Sequence, residues 1–501
     1  MHLPDLFNSA SYIVLFALAV QIGVAIYRLT LHPLAKFPGP KLAAASELYG
    51  IYYDIWKKGK YVKRYPGLHK KYGPIVRTHP NEIHVFDTEA YNTVFRIGTP
   101  FDKQREFYDN PFGEGSHFNM SGLKPAKARR DMLAPHFSTS AIREIEPLLR
   151  QSISKFVGIL RDYAQGKSPV DLTLGLHCLT TDITMGYVFG KPFEALDAPG
   201  FKFEPVVVMD DALFFIVIQR TFHAICRPIM SAFMRMPVVR ELHPLLAAPV
   251  RLQDRCRQLV LDLINRSDAG ESRTPTVFDT MLSPSKEKGQ ETPSVADLTA
   301  EAMVLLIAGE ETTANTLMQG IFHVLHDQTI LERLQKELRE AFPDDDDVIT
   351  QETLESMPYL RGVVKESLRF SHGAPGRLPR VTPACGAKIC GQYIPPGTPI
   401  SMCHFVYNTD ETIFSDPFEF RPERWLGDDF HHLDRHLISF SRGSRGCIGI
   451  TLGYAELYLI LGHIFRKLNL DLYNTTKADM EWDDLYAAKT QKHLEVMVSS
   501  A

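Results

Sequence analysis

No stretch of the sequence narrows the possible structures as much as Phe440-Ser-Arg-Gly443-Ser-Arg445-Gly446-Cys447-Ile-Gly449. A lone cysteine stands in a glycine-rich turn, with Arg445 two residues before it and an apolar run from Ile448 to Leu461 after it. Glycines at 443, 446 and 449 reach backbone conformations closed to other residues and let a flat ligand come close to the main chain. The apolar run reads as a helix and places Cys447 at its start. Unpaired N–H groups and the positive end of the helix dipole there favour sulfur as an anion. A buried cysteine in a tight turn is the commoner use of this residue; the spacing argues instead for a thiolate presented to a metal.

The chain has 501 residues, enough for one large domain or several ordinary ones. No low-complexity block or internal repeat divides it. A net charge of −4 and a pI near 6.6 give no basic field for nucleic acid. Its seven cysteines are scattered and odd in number, which excludes a disulfide framework and points to a reducing compartment. Cys385 and Cys390 have no second pair at zinc spacing, so they read as ordinary thiols.

Residues 10–27 carry no charge, and this length is close to the roughly 20 residues that span a bilayer as a helix. Asp5 precedes the segment, and Arg28, Lys36 and Lys41 follow it. The positive-inside tendency then puts the body in the cytoplasm. The expected organisation is a lumenal N-terminus (1–9), a transmembrane anchor (10–27), a proline-rich hinge (28–45) and a catalytic body (46–501). Prolines 33, 38 and 40 make the hinge stiff and extended.

Within the body, Ser294 with Asp297 three residues on marks a helix start, and the pattern runs to about Leu325 without proline. A second helix is expected from about Thr329 to Phe342. Residues 268–293 read as a surface loop, and β-branched residues with turn signals between Leu378 and Ile400 read as a small sheet. The first of these helices contains Ala308-Gly309-Glu310-Glu311-Thr312-Thr313. Acids and hydroxyls inside an apolar run cost stability without partners. Gly309 weakens the helix by about 1 kcal/mol relative to alanine, and a hydroxyl bonded one turn back distorts it further. Such a helix opens locally, with room for a small ligand and water. Further on, Glu366-Ser-Leu-Arg369 sets opposite charges on one helix face, and Pro422-Glu-Arg424-Trp425 lies 23 residues before Cys447.

These four segments, in this order, resemble the signature motifs of the cytochrome P-450 family, in its microsomal fungal form, with trichodiene oxygenase-like biosynthetic members similar in overall character. The resemblance covers the chain from the anchor to the end. It implies a mainly α fold with a small β region, the cytochrome P-450 fold, preceded by one N-terminal transmembrane helix. It implies haem b with Cys447 as axial ligand, and Phe440, Gly443 and Gly449 beside the cofactor. It implies Thr312 hydrogen-bonding iron-bound dioxygen, Glu311 relaying protons, and Glu366, Arg369 and Arg424 forming a buried structural network. Arg445, Arg380 and Arg130 are the cations expected for the haem propionates. The chain departs from the family where Ala126 stands in place of Trp or His, with Lys127 as a substitute contact.

The activity so implied is a monooxygenase inserting one oxygen atom from O2 into an apolar small molecule, a terpenoid or a polyketide of secondary metabolism. Electrons would come from NADPH through a diflavin reductase at the endoplasmic reticulum membrane, since no Gly-x-Gly-x-x-Gly follows a strand. Lys124, Lys127, Arg129 and Arg442 are candidate docking cations. Pocket segments by family analogy are 101–118 (with Phe107, Tyr108 and Phe112), 201–222, 304–306, 372–376 and 485–488. Two other readings stay open on the residues: a P-450-like isomerase or dehydratase acting on a peroxide, and a non-enzymatic membrane haem protein that carries electrons or senses gas.

Overall fold

A computed structural model describes residues 3–109, 113–224, 226, 228, 244–268, 276–284 and 290–500; Phe112 lies outside them. The helices of ten or more residues among them are α1 (Leu3–Thr30), α2 (Leu123–Leu133), α3 (Glu146–Gly166), α4 (Leu172–Phe189), α5 (Glu204–Thr221), α6 (Pro244–Asp268), α7 (Val295–His326), α8 (Gln328–Ala341), α9 (Pro358–Ser371) and α10 (Ile450–Lys467). Twelve short strands accompany them: β1 (Ile75–His79), β2 (Glu82–Val85), β3 (Asp102–Lys103), β4 (Val170–Asp171), β5 (Arg380–Val381), β6 (Ala387–Ile389), β7 (Gln392–Ile394), β8 (Pro399–Ser401), β9 (Leu468–Leu472), β10 (Trp482–Leu485), β11 (Ala487–Thr490) and β12 (Glu495–Ser500).

The centre of the molecule is α7, which is buried along most of its length by α4, α6, α9 and α10. Its start is the expected one: Ser294 Oγ accepts from Asp297 N at 3.1 Å, and Asp297 Oδ2 accepts from Ser294 N at 3.3 Å. Such caps contribute about 1 kcal/mol. Next comes α8, capped by Asp327, which buries Ile330, Leu334 and Leu338 at the four-residue spacing of one helix face. The principal core runs between α3, α4, α7, α9 and α10.

The expected small sheet is present and larger than the sequence suggested. Its order is β1-β2-β8-β5-β3, so strands from the N-terminal part join those after residue 380. Lys103 lies directly opposite Arg380 where β3 pairs with β5. The segment 268–293 is more than a loop: Val277–Leu282 is a helix with a Thr276–Asp279 capping box, and Val277, Phe278 and Met281 are in the core. Its Ser-, Pro- and Lys-rich flanks hid that turn.

The expected transmembrane span is not borne out. Residues 10–27 are helical within α1, but among the described residues no helix is long and apolar enough to cross a membrane.

Candidate active site

A cavity lies between the middle of α7 and the turn that precedes α10, and Cys447 borders it. The turn is held by short backbone bonds. Cys447 N donates to Phe440 O at 2.9 Å and Gly446 N to Gly443 O at 3.0 Å. Gly443 has φ +71°, and a Cβ there would stand 2.1 Å from Phe95 O, so only glycine fits. Phe440 and Gly449 border the same cavity, and a Cβ on Gly449 would lie 3.9 Å from Cys447 Sγ. The helix begins at Ile450 with Gly449 as its cap, so Cys447 precedes the first turn. Burial pushes its thiol up, against the opposing Gly449 N–H and Arg130. Burial thus opposes the anionic sulfur expected at a helix start, which a bound metal would favour. Cys447 counts as exposed by accessible surface yet sits deep in the protein; the two agree if its accessible face is the cavity.

Across the cavity, α7 presents Val304, Leu305, Ala308, Gly309, Thr312, Thr313 and Thr316. Thr312 Oγ1 donates to Ala308 O at 2.7 Å and Thr316 Oγ1 to Thr312 O at 2.8 Å, the one-turn-back bonds that loosen a helix. Gly309 admits the neighbouring helix: a Cβ would meet Thr184 Oγ1 at 2.7 Å. Glu311 is not among the residues that border the cavity. It is buried on another side of α7, 3.8 Å from His177 Nδ1, which is bonded to Glu310. Successive helical residues point about 100° apart, so Thr312 faces the cavity and Glu311 the α4 side.

Cations gather at one end of the cavity. Arg445, Arg380 and Arg130 all border it, as expected, and so does Lys103, which the sequence reading missed. Arg380 Nη1 donates to Tyr108 Oη at 3.0 Å, Lys103 Nζ to Phe118 O at 2.6 Å, and Arg130 Nη1 to Gly446 O at 2.7 Å. Arg445 reaches His117 O, Met120 O and Asp102 Oδ1 at 3.1, 2.8 and 3.2 Å, while its Nε is buried without a partner. Of these four cations only Arg445 has a carboxylate partner among the described ion pairs, Asp102. Burial and then the nearby Arg380 and Arg445 hold the Lys103 ammonium well below its ordinary range. Like charges directly opposite on paired strands destabilise a sheet, and Lys103 opposite Arg380 is such a pair. Buried cations in surplus, an orphaned guanidinium nitrogen and a cysteine bordering the same cavity fit a metal-bearing ring with two acidic arms. Lys127 does not take part: its ammonium is exposed and bonded to Asp131, because it points off the solvent face of α2.

The third expected cluster forms as the sequence implied. Glu366 accepts from Arg369 Nε at 2.9 Å and Nη2 at 2.6 Å, from Arg424 Nε at 3.0 Å, from Trp425 Nε1 at 2.8 Å and from Arg421 N at 3.0 Å. Burial raises its carboxyl, but Arg369 and Arg424 outweigh that and hold it below its ordinary value. Arg369 spends its remaining donors on Asn408 O, Pro417 O and Glu419 O. Every charge here has a partner.

Several expected pocket residues lie elsewhere. Tyr108, Phe118, Val304, Leu305, Gly373 and Ala374 border the cavity; among the described side chains none of 201–222 or 485–488 does, and neither do Leu306 and His372. Phe201 instead packs on Phe156 in the core, with ring centres 5.7 Å apart. Of the candidate docking cations, Arg129 is buried against Glu301 and Asp297 and is not available at the surface. The sequence reading also passed over His117, whose Nδ1 lies 2.5 Å from Glu301 Oε1, and Glu456, a buried acid on α10 that borders the cavity.

The profile of the cytochrome P450 family matches residues 40–496. The chain is 32% identical over 479 residues to the cytochrome P450 monooxygenase pbrB of Penicillium brasilianum, covering 93% of this chain and 91% of that one. It is 33% identical over 478 residues to the cytochrome P450 monooxygenase astB of Aspergillus terreus, covering 91% of each. It is 33% identical over 482 residues to the cytochrome P450 monooxygenase TRI4 of Trichoderma arundinaceum, covering 92% of this chain and 90% of that one.

Proposed function

Because the chain belongs to the cytochrome P450 family and is a haem-thiolate monooxygenase, we propose that it oxidises a terpenoid or polyketide of secondary metabolism with electrons from an NADPH-dependent diflavin reductase. The observation that carries the substrate class is the wall of the cavity. Phe118, Phe137, Val188, Val304, Leu305 and Leu368 make it apolar, which suits a hydrophobic molecule held by shape.

When bound, haem supplies an iron that activates dioxygen, with thiolate donation from Cys447 favouring O–O cleavage; the role is the one stated generally for thiolate-ligated haem. The chain's own residues do the rest. Lys103, Arg380 and Arg445, which border the cavity, would hold the acidic arms of the ring. Apolar side chains keep water from the reacting carbon. Thr312, whose hydroxyl donates back to Ala308 O, presents its oxygen to the cavity as an acceptor, and Glu311 on the adjoining side of α7 would supply protons from the α4 face. Proton delivery of this kind requires a positioned donor.

The site of action in this reading is the endoplasmic reticulum membrane, with the body in the cytoplasm. Exposed apolar side chains on α1, among them Ile13, Leu15, Phe16 and Ile22, support attachment there. Removing residues 1–30 is then expected to move the protein from the membrane pellet to the supernatant. The function is tested by co-expression with a diflavin reductase in yeast, feeding terpenoid and polyketide scaffolds under labelled dioxygen. A product carrying one labelled oxygen atom identifies the substrate class. Consumption of neither class, in a preparation that oxidises other apolar compounds, overturns it.

A further inference from the structure

A second cavity, of about 390 Å³, lies toward the C-terminal end of α7 and shares no bordering residue with the cavity at Cys447. That volume is in the range of small-molecule sites. Two aromatic groups border it. His323 of α7 and Phe370 of α9 meet edge to face with ring centres 4.6 Å apart, and His323 stacks on Phe420 at 4.8 Å. His372, Phe405 and Trp482 form the second group, with ring centres 5.1, 5.2 and 5.3 Å apart. His372 is 5% exposed, and its Nδ1 has no partner.

The charges at the border do not cancel. Lys63 Nζ lies 4.7 Å from the Trp482 ring centre and donates to Glu481 Oε2 at 2.9 Å. Arg369 has its donors spent on Glu366 and on three carbonyls. Lys477 is exposed and makes no ion pair among the described residues, and Glu481 is the one carboxylate among those that border the cavity. Both imidazoles are neutral. Burial, and then Lys477, hold that of His323 down at about 3, and burial, and then Arg369, hold that of His372 well below its ordinary value. Flat rings with one cation left over are the complement of a flat apolar molecule that carries a single negative charge. Aromatic rings also suit a cationic guest, but Lys63 and Lys477 oppose one.

We propose that this cavity is a second ligand site, separate from the haem cavity, for a small aromatic carboxylic acid. Its ring packs on Phe370, Phe405 and Trp482, and its carboxylate pairs with Lys477 at the mouth. The site takes no part in the oxidation and stands apart from the terpenoid or polyketide reading.

The test is equilibrium dialysis of 2-naphthoate against the purified holoenzyme, with imidazole saturating the haem iron. One naphthoate should bind per chain. The uncharged 2-naphthamide, of the same shape, should bind about fivefold more weakly, the upper value for an exposed ion pair. Lys477→Ala should weaken naphthoate by the same factor and leave naphthamide unchanged, while Lys127→Ala, an exposed lysine elsewhere, should alter neither. Absence of saturable binding overturns the proposal, as does equal naphthoate affinity in the parent and Lys477→Ala. Binding that disappears when imidazole fills the iron site assigns the acid to the haem cavity and overturns it too. Lys477 is a surface side chain, so its replacement leaves the fold intact and the comparison readable.

Discussion

Two buried charge clusters flank this cavity's architecture and differ in one respect. Around Glu366, Arg369 and Arg424 with Trp425 satisfy a single carboxylate, and Arg369 ends on three backbone carbonyls. At the cavity's end, among the described ion pairs of Lys103, Arg380, Arg445 and Arg130 there is only the one from Arg445 to Asp102, and Arg445 Nε has no partner. The first cluster is complete within the protein, so it stabilises the fold. The second is complete only with an anion, so it reports a ligand. Buried charge separates scaffold from site by whether its own chain balances it.

The comparison breaks most sharply at Glu366. Replacing it with glutamine leaves two arginines buried without a counter-charge, a loss of about 3–5 kcal/mol. Denaturant titration should show it, together with a preparation that is largely haem-free. The opposite behaviour is expected at the cavity. Arg380→Met should leave the haem-free protein as stable as the parent or more so, while haem dissociates roughly tenfold to hundredfold faster, at about 1.5–3 kcal/mol per charge-assisted bond. If both clusters lose stability alike without haem, the distinction fails.

Acid sharpens it further. The Glu366 carboxyl is held below its ordinary value of 4.5 in the fold, so its stabilisation is fully present above that pH and is lost as pH falls through the depressed folded value. Unfolding midpoints measured from neutral pH downward should drop below about 4.5 in the parent, with no matching drop in Arg380→Met relative to it. The smallest effect belongs to Lys127→Ala. Its ammonium is exposed and paired with Asp131, so haem retention should be unchanged and stability should move by less than about 0.5 kcal/mol.

Much of the site was legible because its chemistry is local in sequence. The turn at 440–449, the capping box at Ser294 and the Glu366–Arg369 pair each depend on residues a few positions apart. Lys103 was not legible, because its meaning comes from pairing with Arg380 across β3 and β5, far apart in the chain. Glu456 reads as an ordinary polar position until α7 closes over it. The contribution of 201–222 to the cavity was over-read: aromatic content does not tell a core face from a pocket face, and Phe201 belongs to the core. The helix at Val277–Leu282 was hidden because a six-residue helix offers too few periods to stand out.

The two-residue strand that sets an ammonium against a guanidinium also bears on how the molecule matures. Without its prosthetic group, that edge of the sheet repels itself and should be the first place to fray, open to proteases and to hydrogen exchange. Loading the cofactor then works like closing a clasp. The lifetime of newly made chains in the cell would follow the supply of that group as much as the strength of the core.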